Sequence, residues 1–317
     1  MVRNIAHTLG YRAVSSLHLC PGCARLGRLR PADRGSLELG QRRCSCGFTS
    51  SASPTSPGPE AETQEKKKPL KKWTSLSIGE DNSCGITTKQ TLWCWGYNSN
   101  GELGIGNTKS KYKPVQVKGG GKWLQVSAQD ETTCGIKKDG SLWCWGYNAY
   151  YAVGDGTDKN RTKPTRVGTA KNWKSISVSF HGCGIKKDNS LWCWGYNNIG
   201  QLGTGDYTTA PTPVQVQAGR TWTSVQAGSS STCALAVNLT DSKKRDLLCW
   251  GYGGRGQLGQ GTTANSLNPV QVAGNWKSIS GANSTVCGVR SDGSGWCWGK
   301  TPPGRQEPRH RSRCCPR

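Results

Sequence analysis

Phenylalanine and methionine are nearly missing from this 317-residue chain, which holds two of the first and one of the second. Acid is scarce too, with 19 Asp and Glu against 42 Lys and Arg, for a net charge of +23. No apolar run approaches the ~18 residues of a membrane-spanning helix, and the N-terminus lacks the continuous apolar stretch of a secretory signal. Few stretches could form a helix. There are four histidines, and only His181 lies in the repeats described next, which leaves a Ser-His-Asp or Cys-His site little to build on. Aligned with Ser83 of the first repeat, it is expected to pack a turn. Gly119-Gly120-Gly121-Lys122 lacks the spacing and the Ser or Thr of a phosphate loop, and no carboxylate pair recurs at a spacing suited to acid-base work. No catalytic residue, cofactor or metal site is assigned.

What the chain has instead is tryptophan, fourteen of them, and 43 glycines. Trp-Gly returns five times in one setting, at Trp95-Gly96, Trp145-Gly146, Trp194-Gly195, Trp250-Gly251 and Trp298-Gly299. Each copy has an earlier partner, Trp73, Trp123, Trp173, Trp222 or Trp276, at a period of roughly 50, which points to a propeller or solenoid. The second copy gives the plan. Strands are expected at Trp123 to Ala128, Thr132 to Ile136 and Ser141 to Gly146, with a tight Asp139-Gly140 turn before the third, because Asp-Gly accepts positive φ. Lys163 to Val167 makes a fourth strand. Its proline cannot donate to a ladder, so it belongs at an edge, as do the segments with Pro114, Pro213 and Pro269. Four short strands and their turns make one propeller blade, so the fold class is all-β.

The boxes Cys84-Gly85-Ile86, Leu92 to Gly96, Asn98, Gly101-Glu102-Leu103-Gly104 and Pro114-Val115-Gln116-Val117 resemble the repeat of the regulator of chromosome condensation family. Gly200-Gln201-Leu202-Gly203 and Gly256-Gln257-Leu258-Gly259 match it more closely. Two copies depart from it: repeat two has Tyr151-Ala152-Val153-Gly154, and repeat four has Gly253 where the asparagine belongs. The resemblance implies a ring of seven blades, whereas this chain has five units, at 73–122, 123–172, 173–221, 222–275 and an incomplete 276–299. After Gly299 the pattern stops abruptly inside a blade. The basic tail, 300–317, is expected to be a truncated or frame-shifted stretch, or else a basic arm. A five-bladed ring, an open array and closure by a second copy all remain open, and an open array should self-associate through its exposed edges.

Each unit carries two cysteines: Cys84 and Cys94, Cys134 and Cys144, Cys183 and Cys193, Cys233 and Cys249, Cys287 and Cys297. Four pairs are ten apart. In the fourth unit six extra residues lengthen the hairpin at Asn238 to Asp246, and an even insertion at the tip keeps both cysteines opposite with the same facing. Disulfides suit that placement and would imply an oxidising compartment. Reduced buried thiols are the other reading. Zinc is disfavoured because no third or fourth ligand lies near each pair.

Residues 1–50 form a basic, Ser- and Arg-bearing leader, expected to be disordered, that resembles an organellar transit peptide, with mitochondrial import as the lean and extracellular or cytoplasmic/nuclear placement as alternatives; a merely disordered or wrongly assigned leader is the other reading. Cys20, Cys23, Cys44 and Cys46 have only a loose zinc-ribbon spacing. Residues 51–72 read as a Pro- and Lys-rich linker. The leader and linker, the repeats to Lys300 and the tail carry +8, +11 and +4. Within the repeats, Lys137, Lys138, Lys186, Lys187, Lys243, Lys244 and Arg245 all fall in turns between second and third strands, joined by Lys118, Lys122 and Lys171 near the blade connections. One face should therefore be a basic ring able to dock an acidic protein or a phosphate backbone; merely solvated lysines are the plainer reading. The function expected is a non-catalytic protein-interaction platform. The resemblance also allows guanine-nucleotide exchange on a small GTPase such as Ran, and the cysteines allow a secreted, disulfide-stapled binding propeller.

Overall fold

The structure, a computed structural model, describes residues 71–282 and 284–300. The leader, its four cysteines, the linker to residue 70 and the tail from residue 301 lie outside the described residues. Every regular element described is a strand. Blade one is β1 (Trp73–Ile78), β2 (Asn82–Thr87), β3 (Leu92–Gly96) and β4 (Lys111–Gln116). Blade two is β5 (Trp123–Gln129), β6 (Thr132–Lys137), β7 (Leu142–Gly146) and β8 (Arg161–Arg166). Blade three is β9 (Trp173–Val178), β10 (His181–Lys186), β11 (Leu191–Gly195) and β12 (Ala210–Val216), and blade four is β13 (Trp222–Ala227), β14 (Ser231–Val237), β15 (Arg245–Gly251) and β16 (Ser266–Val272). Blade five has three strands, β17 (Trp276–Ala282), β18 (Thr285–Arg290) and β19 (Gly295–Gly299). Each sheet is an antiparallel meander with strands in chain order.

Two irregularities recur, the first in all five blades and the second in the four blades that have a fourth strand. The ladder slips just after the first tryptophan, between Trp73 and Ser75, between Trp123 and Gln125, and at the matching place in the other three. In a regular strand, positions three apart face opposite ways; the extra residue of this bulge brings Trp123 and Val126 onto one buried face. The second slip follows the third strand, and there the glycine of Trp-Gly takes a left-handed conformation, with φ +110° at Gly96 and +103° at Gly146. A Cβ on Gly96 would sit 2.8 Å from the Asn82 Cα, so the recurring glycine is a backbone requirement.

Blades pack face to face. The side of blade one that carries Cys84, Ile86, Leu92 and Cys94 buries against Trp123, Val126, Ala128 and Trp145 of blade two. The same pairing of a cysteine face with a tryptophan face recurs at the next three joints. First strands line the axis, and serines close the gaps between them: Ser77 Oγ accepts from the Ala128 amide (2.9 Å), Ser127 Oγ from Val178 (3.1 Å) and Ser177 Oγ from Ala227 (2.9 Å). Amides with no ladder partner at the joints are thereby satisfied. Blade five makes no comparable packing on blade one among the described residues. The five blades form an arc, at whose start Leu76 and Ile78 are 56% and 76% exposed.

Candidate interaction surfaces

The blade connections and the second-to-third-strand hairpins share one face, because each hairpin is stitched to the connection beside it. Lys138, Lys187 and Ser291 donate backbone N–H groups to the carbonyls of Lys122, Asn172 and Asn275. The basic residues of these hairpins are in three different situations. Lys137 Nζ lies 4.1 Å from the Trp143 ring centroid and 5.0 Å from that of Trp123, and Lys186 Nζ lies 3.5 Å from Trp192 and 5.2 Å from Trp173. Partial burial lowers both ammonium pKa values. Arg290 is held the same way by Trp296 and Trp276. These cations are clamped inside their own blades. Lys138, Lys187 and Lys243 are exposed and make no ion pair among the described residues, as are the connection lysines Lys118, Lys122 and Lys171. Lys244 pairs with Asp241 at 3.2 Å, and Arg245 bonds the Ser242 and Lys244 carbonyls.

The opposite face is concave and chemically unlike it. Glu80 and Asp81 from the β1–β2 turn meet Asp130 and Glu131 from the β5–β6 turn around a cavity of about 460 Å³. Its other wall is aromatic: Tyr150 packs at a tilt of 38° against Tyr196, with ring centroids 4.5 Å apart, and meets Tyr147 and Phe180 edge-on at 5.8 and 6.3 Å. Burial, and then the Glu80 charge, raises the Asp130 pKa against a short hydrogen bond from Ser179; burial, Asp130 and Asp81 raise that of Glu131.

The cysteines stand as their spacing predicts. All five pairs are directly opposed across second and third strands, Cys84 with Cys94 through Cys287 with Cys297, including the longer Cys233–Cys249 hairpin. Each has Cα atoms 4.1 Å apart and sulfurs at bonding distance, a disulfide-compatible arrangement. No group of three or more metal-ligating side chains forms among the described residues.

His181 requires a correction. Its counterpart in blade one is Asn82, not Ser83, since Asn82 opposes Gly96 as His181 opposes Gly195. Both reach into the next blade. Asn82 Nδ2 donates to Thr133 Oγ1, and His181 Nε2 lies 2.6 Å from Thr232 Oγ1. Each threonine hydroxyl is already spent on a carbonyl of the preceding blade, that of Glu102 or Gln201.

These loops explain the Gly-x-Leu-Gly box. The Nε1 of Trp145 donates to the Glu102 carbonyl of the preceding blade at 2.9 Å, as Trp250 does to Gln201 and Trp298 to Gln257. The closing glycine lies flat on the same indole, for a Cβ on Gly104 would be 2.7 Å from Trp145 Nε1. Asn98 knits the loop, donating to the Asn107 and Lys109 carbonyls and accepting from the Leu103 amide. The profile of the regulator of chromosome condensation (RCC1) repeat matches residues 90–136, 139–182, 188–235 and 246–289, and a second profile of that repeat matches 73–102 and 123–152. The chain belongs to the RCC1 repeat family. RCC1 units matched from residue 90 onward straddle two blades, so each carries the third strand of one blade and the first two strands of the next. The box and the tryptophan it serves therefore fall in successive units, as Glu102 lies in the first and Trp145 in the second.

Among solved RCC1-type folds, human WBSCR16 superposes with a TM-score of 0.66 at 18% identity, covering 76% of this chain and 66% of that one. Yeast RCC1 (Prp20), in a complex with Kap60, gives 0.61 at 19% identity and covers 71% and 55%. Prp20p of Saccharomyces cerevisiae, in a report on its binding to Gsp1p and histones, gives 0.60 at 19% and covers 71% and 56%. The chain thus spans between about half and two thirds of the length of these structures. No curated protein sequence matches it.

Proposed function

We propose that this RCC1-repeat chain is a non-catalytic protein-interaction platform that docks an acidic partner surface on its hairpin face. One observation carries the reading: Lys138, Lys187 and Lys243, one from each of three successive blades, are exposed without an ion pair among the described residues, while Lys137 and Lys186 are committed to indoles. Spaced positive charge of this kind speeds encounter and adds salt-sensitive affinity. The five cysteine pairs are read here as disulfides, which stiffen the platform and suit an oxidising compartment. The test uses poly-glutamate as an acidic probe at low ionic strength. Lys138→Glu, Lys187→Glu and Lys243→Glu together should weaken its binding at least tenfold, and unchanged binding would remove the hairpin face from the reading. Lys186→Met should instead lower stability by ~1 kcal/mol with little effect on the probe.

Nucleotide exchange on a small GTPase is the second reading. It is supported by the likeness in fold to yeast RCC1 (Prp20), whose report concerns binding to Gsp1p. Faster nucleotide release from a small GTPase in the presence of the chain would select it. Binding of an extracellular target by the oxidised form alone would select a secreted propeller.

A further inference from the structure

We infer that the concave face is a second binding site, whose aromatic wall and convergent carboxylates take the guanidinium of an arginine in a partner's basic segment. It lies on the opposite face from the exposed lysines and does not rest on the hairpin-face reading. The sign of the charge comes first. In a chain with more than twice as many basic as acidic residues, Glu80, Asp81, Asp130 and Glu131 gather around one cavity and none of them makes an ion pair among the described residues. A fifth carboxylate stands behind them. Glu102 is 1% exposed, its Oε1 has no hydrogen-bond partner, and Asn100 joins it to Glu131 by donating its backbone N–H to Glu102 Oε2 and its side-chain amide to Glu131 Oε2. Desolvation and mutual repulsion raise Glu102, Asp130 and Glu131 alike, as in a site whose counter-charge comes from outside.

The aromatic wall selects among cations. Tyr150 is 39% exposed and is held by three aromatic neighbours, Tyr147, Phe180 and Tyr196, drawn from loops of blades two and three. A planar guanidinium can stack on such a ring while its N–H fork reaches carboxylates at the edge, whereas an ammonium has no face to stack. The cavity, about 460 Å³, lies in the size range of ligand sites and admits a side chain together with its flanking backbone. Arginine is therefore favoured over lysine, and an extended segment over a free amino acid.

The probes are two capped hexapeptides, alternating glycine with arginine or glycine with lysine, titrated calorimetrically into the full chain. The arginine peptide should bind the more tightly. Asp130→Asn with Glu131→Gln should weaken it at least tenfold, and Tyr150→Leu should cost the arginine peptide more than the lysine peptide. Near-ultraviolet dichroism from the tryptophans checks that both variants fold. The triple glutamate variant of the hairpin face should bind the arginine peptide no more weakly than the natural chain does, which separates failure of this site from failure of the other. Equal affinity in the natural chain and both concave-face variants, or no preference for arginine, would overturn the inference.

Discussion

Replacing His181 by Asn should flatten the acid side of the stability profile. His181 is fully buried, and the Thr232 hydroxyl it meets donates onward to the Gln201 carbonyl at 2.7 Å, so the imidazole must donate from Nε2. Nδ1 then carries the lone pair and has no partner. Protonating it would bury an unpaired charge, and desolvation accordingly lowers the pKa to about 3. An unfolded imidazole takes up its proton near pH 6.5. Between these values the unfolded state binds more protons, so stability is present above the upper value and is lost as the pH falls through the window. The shift corresponds to ~2 kcal/mol lost between pH 8 and pH 5 and ~3 kcal/mol by pH 4. Glu102, Asp130 and Glu131 work in the opposite sense: with raised pKa values, they stabilise the fold as the pH falls through them. They are common to both proteins, so the difference between His181→Asn and the natural chain isolates the histidine. Asn82 shows that an asparagine can make the same link at the first joint. The smaller side chain should cost ~1–2 kcal/mol at pH 8, so the two stability curves should meet near pH 5. Urea unfolding at fixed pH values from 8 to 4, followed by tryptophan fluorescence, measures this. Parallel curves over that range would refute both the tautomer and the buried unpaired nitrogen.

Replacing Cys183 and Cys193 together by Ala should lower unfolding free energy by ~2–3 kcal/mol under oxidising conditions, the entropy of a ten-residue closure, and by far less under reducing ones; chemical denaturation in the two buffers decides. Gly104→Ala forces a Cβ onto the Trp145 indole at φ +66° and should destabilise by ~2–3 kcal/mol, read as a lowered thermal midpoint. Leu76→Lys should be nearly neutral because that position is 56% exposed, while Val126→Lys at the equivalent covered position, 8% exposed, should prevent stable folding; comparable damage at both sites would show that the first blade's outer face is covered in solution.

The blades were legible because their chemistry is local and repeated. Trp-Gly marks a left-handed glycine at the end of the third strand, and the Asp-Gly turn fixes the hairpin that opposes Cys134 and Cys144. The bulge after the first tryptophan was not legible, since nothing in Trp123-Leu124-Gln125-Val126 announces an extra residue until the burial of both Trp123 and Val126 demands it. The clamped lysines left a signal that went unused. Lys137 is three residues past Cys134 and so shares a face with Trp143, which immediately precedes Cys144, but its place beside a turn suggested solvent. Misplacing His181 by one position against blade one hid its likeness to Asn82, for in a strand one residue is a change of face. The concave site was out of reach for another reason. Tyr150, Phe180 and Tyr196 lie in loops of different blades and converge only when the sheets fan about the axis.

That fanning also sets what the ends of the arc require. At each joint a cysteine face meets a tryptophan face, so the described blades begin and end in unlike surfaces. Blade one leaves Trp73, Leu76, Ile78 and Trp95 wholly or partly exposed, where blade two buries Trp123, Val126, Ala128 and Trp145. Blade five leaves Cys287, Val289 and Cys297 partly open, where blade four buries Cys233, Leu235 and Cys249. The last surface is also thinner, because Gly295 stands where the other blades have Leu92, Leu142, Leu191 and Leu247. Like-to-like pairing of two copies would set tryptophan on tryptophan and cysteine on cysteine, matching neither interior joint. Whatever covers blade one must bring a cysteine-type face with its leucine, and whatever covers blade five needs bulk to fill the place of that leucine. Until that happens, Cys287 and Cys297 are the pair whose sulfurs solvent and reductant reach first, and the last hairpin is where an oxidised arc would begin to loosen.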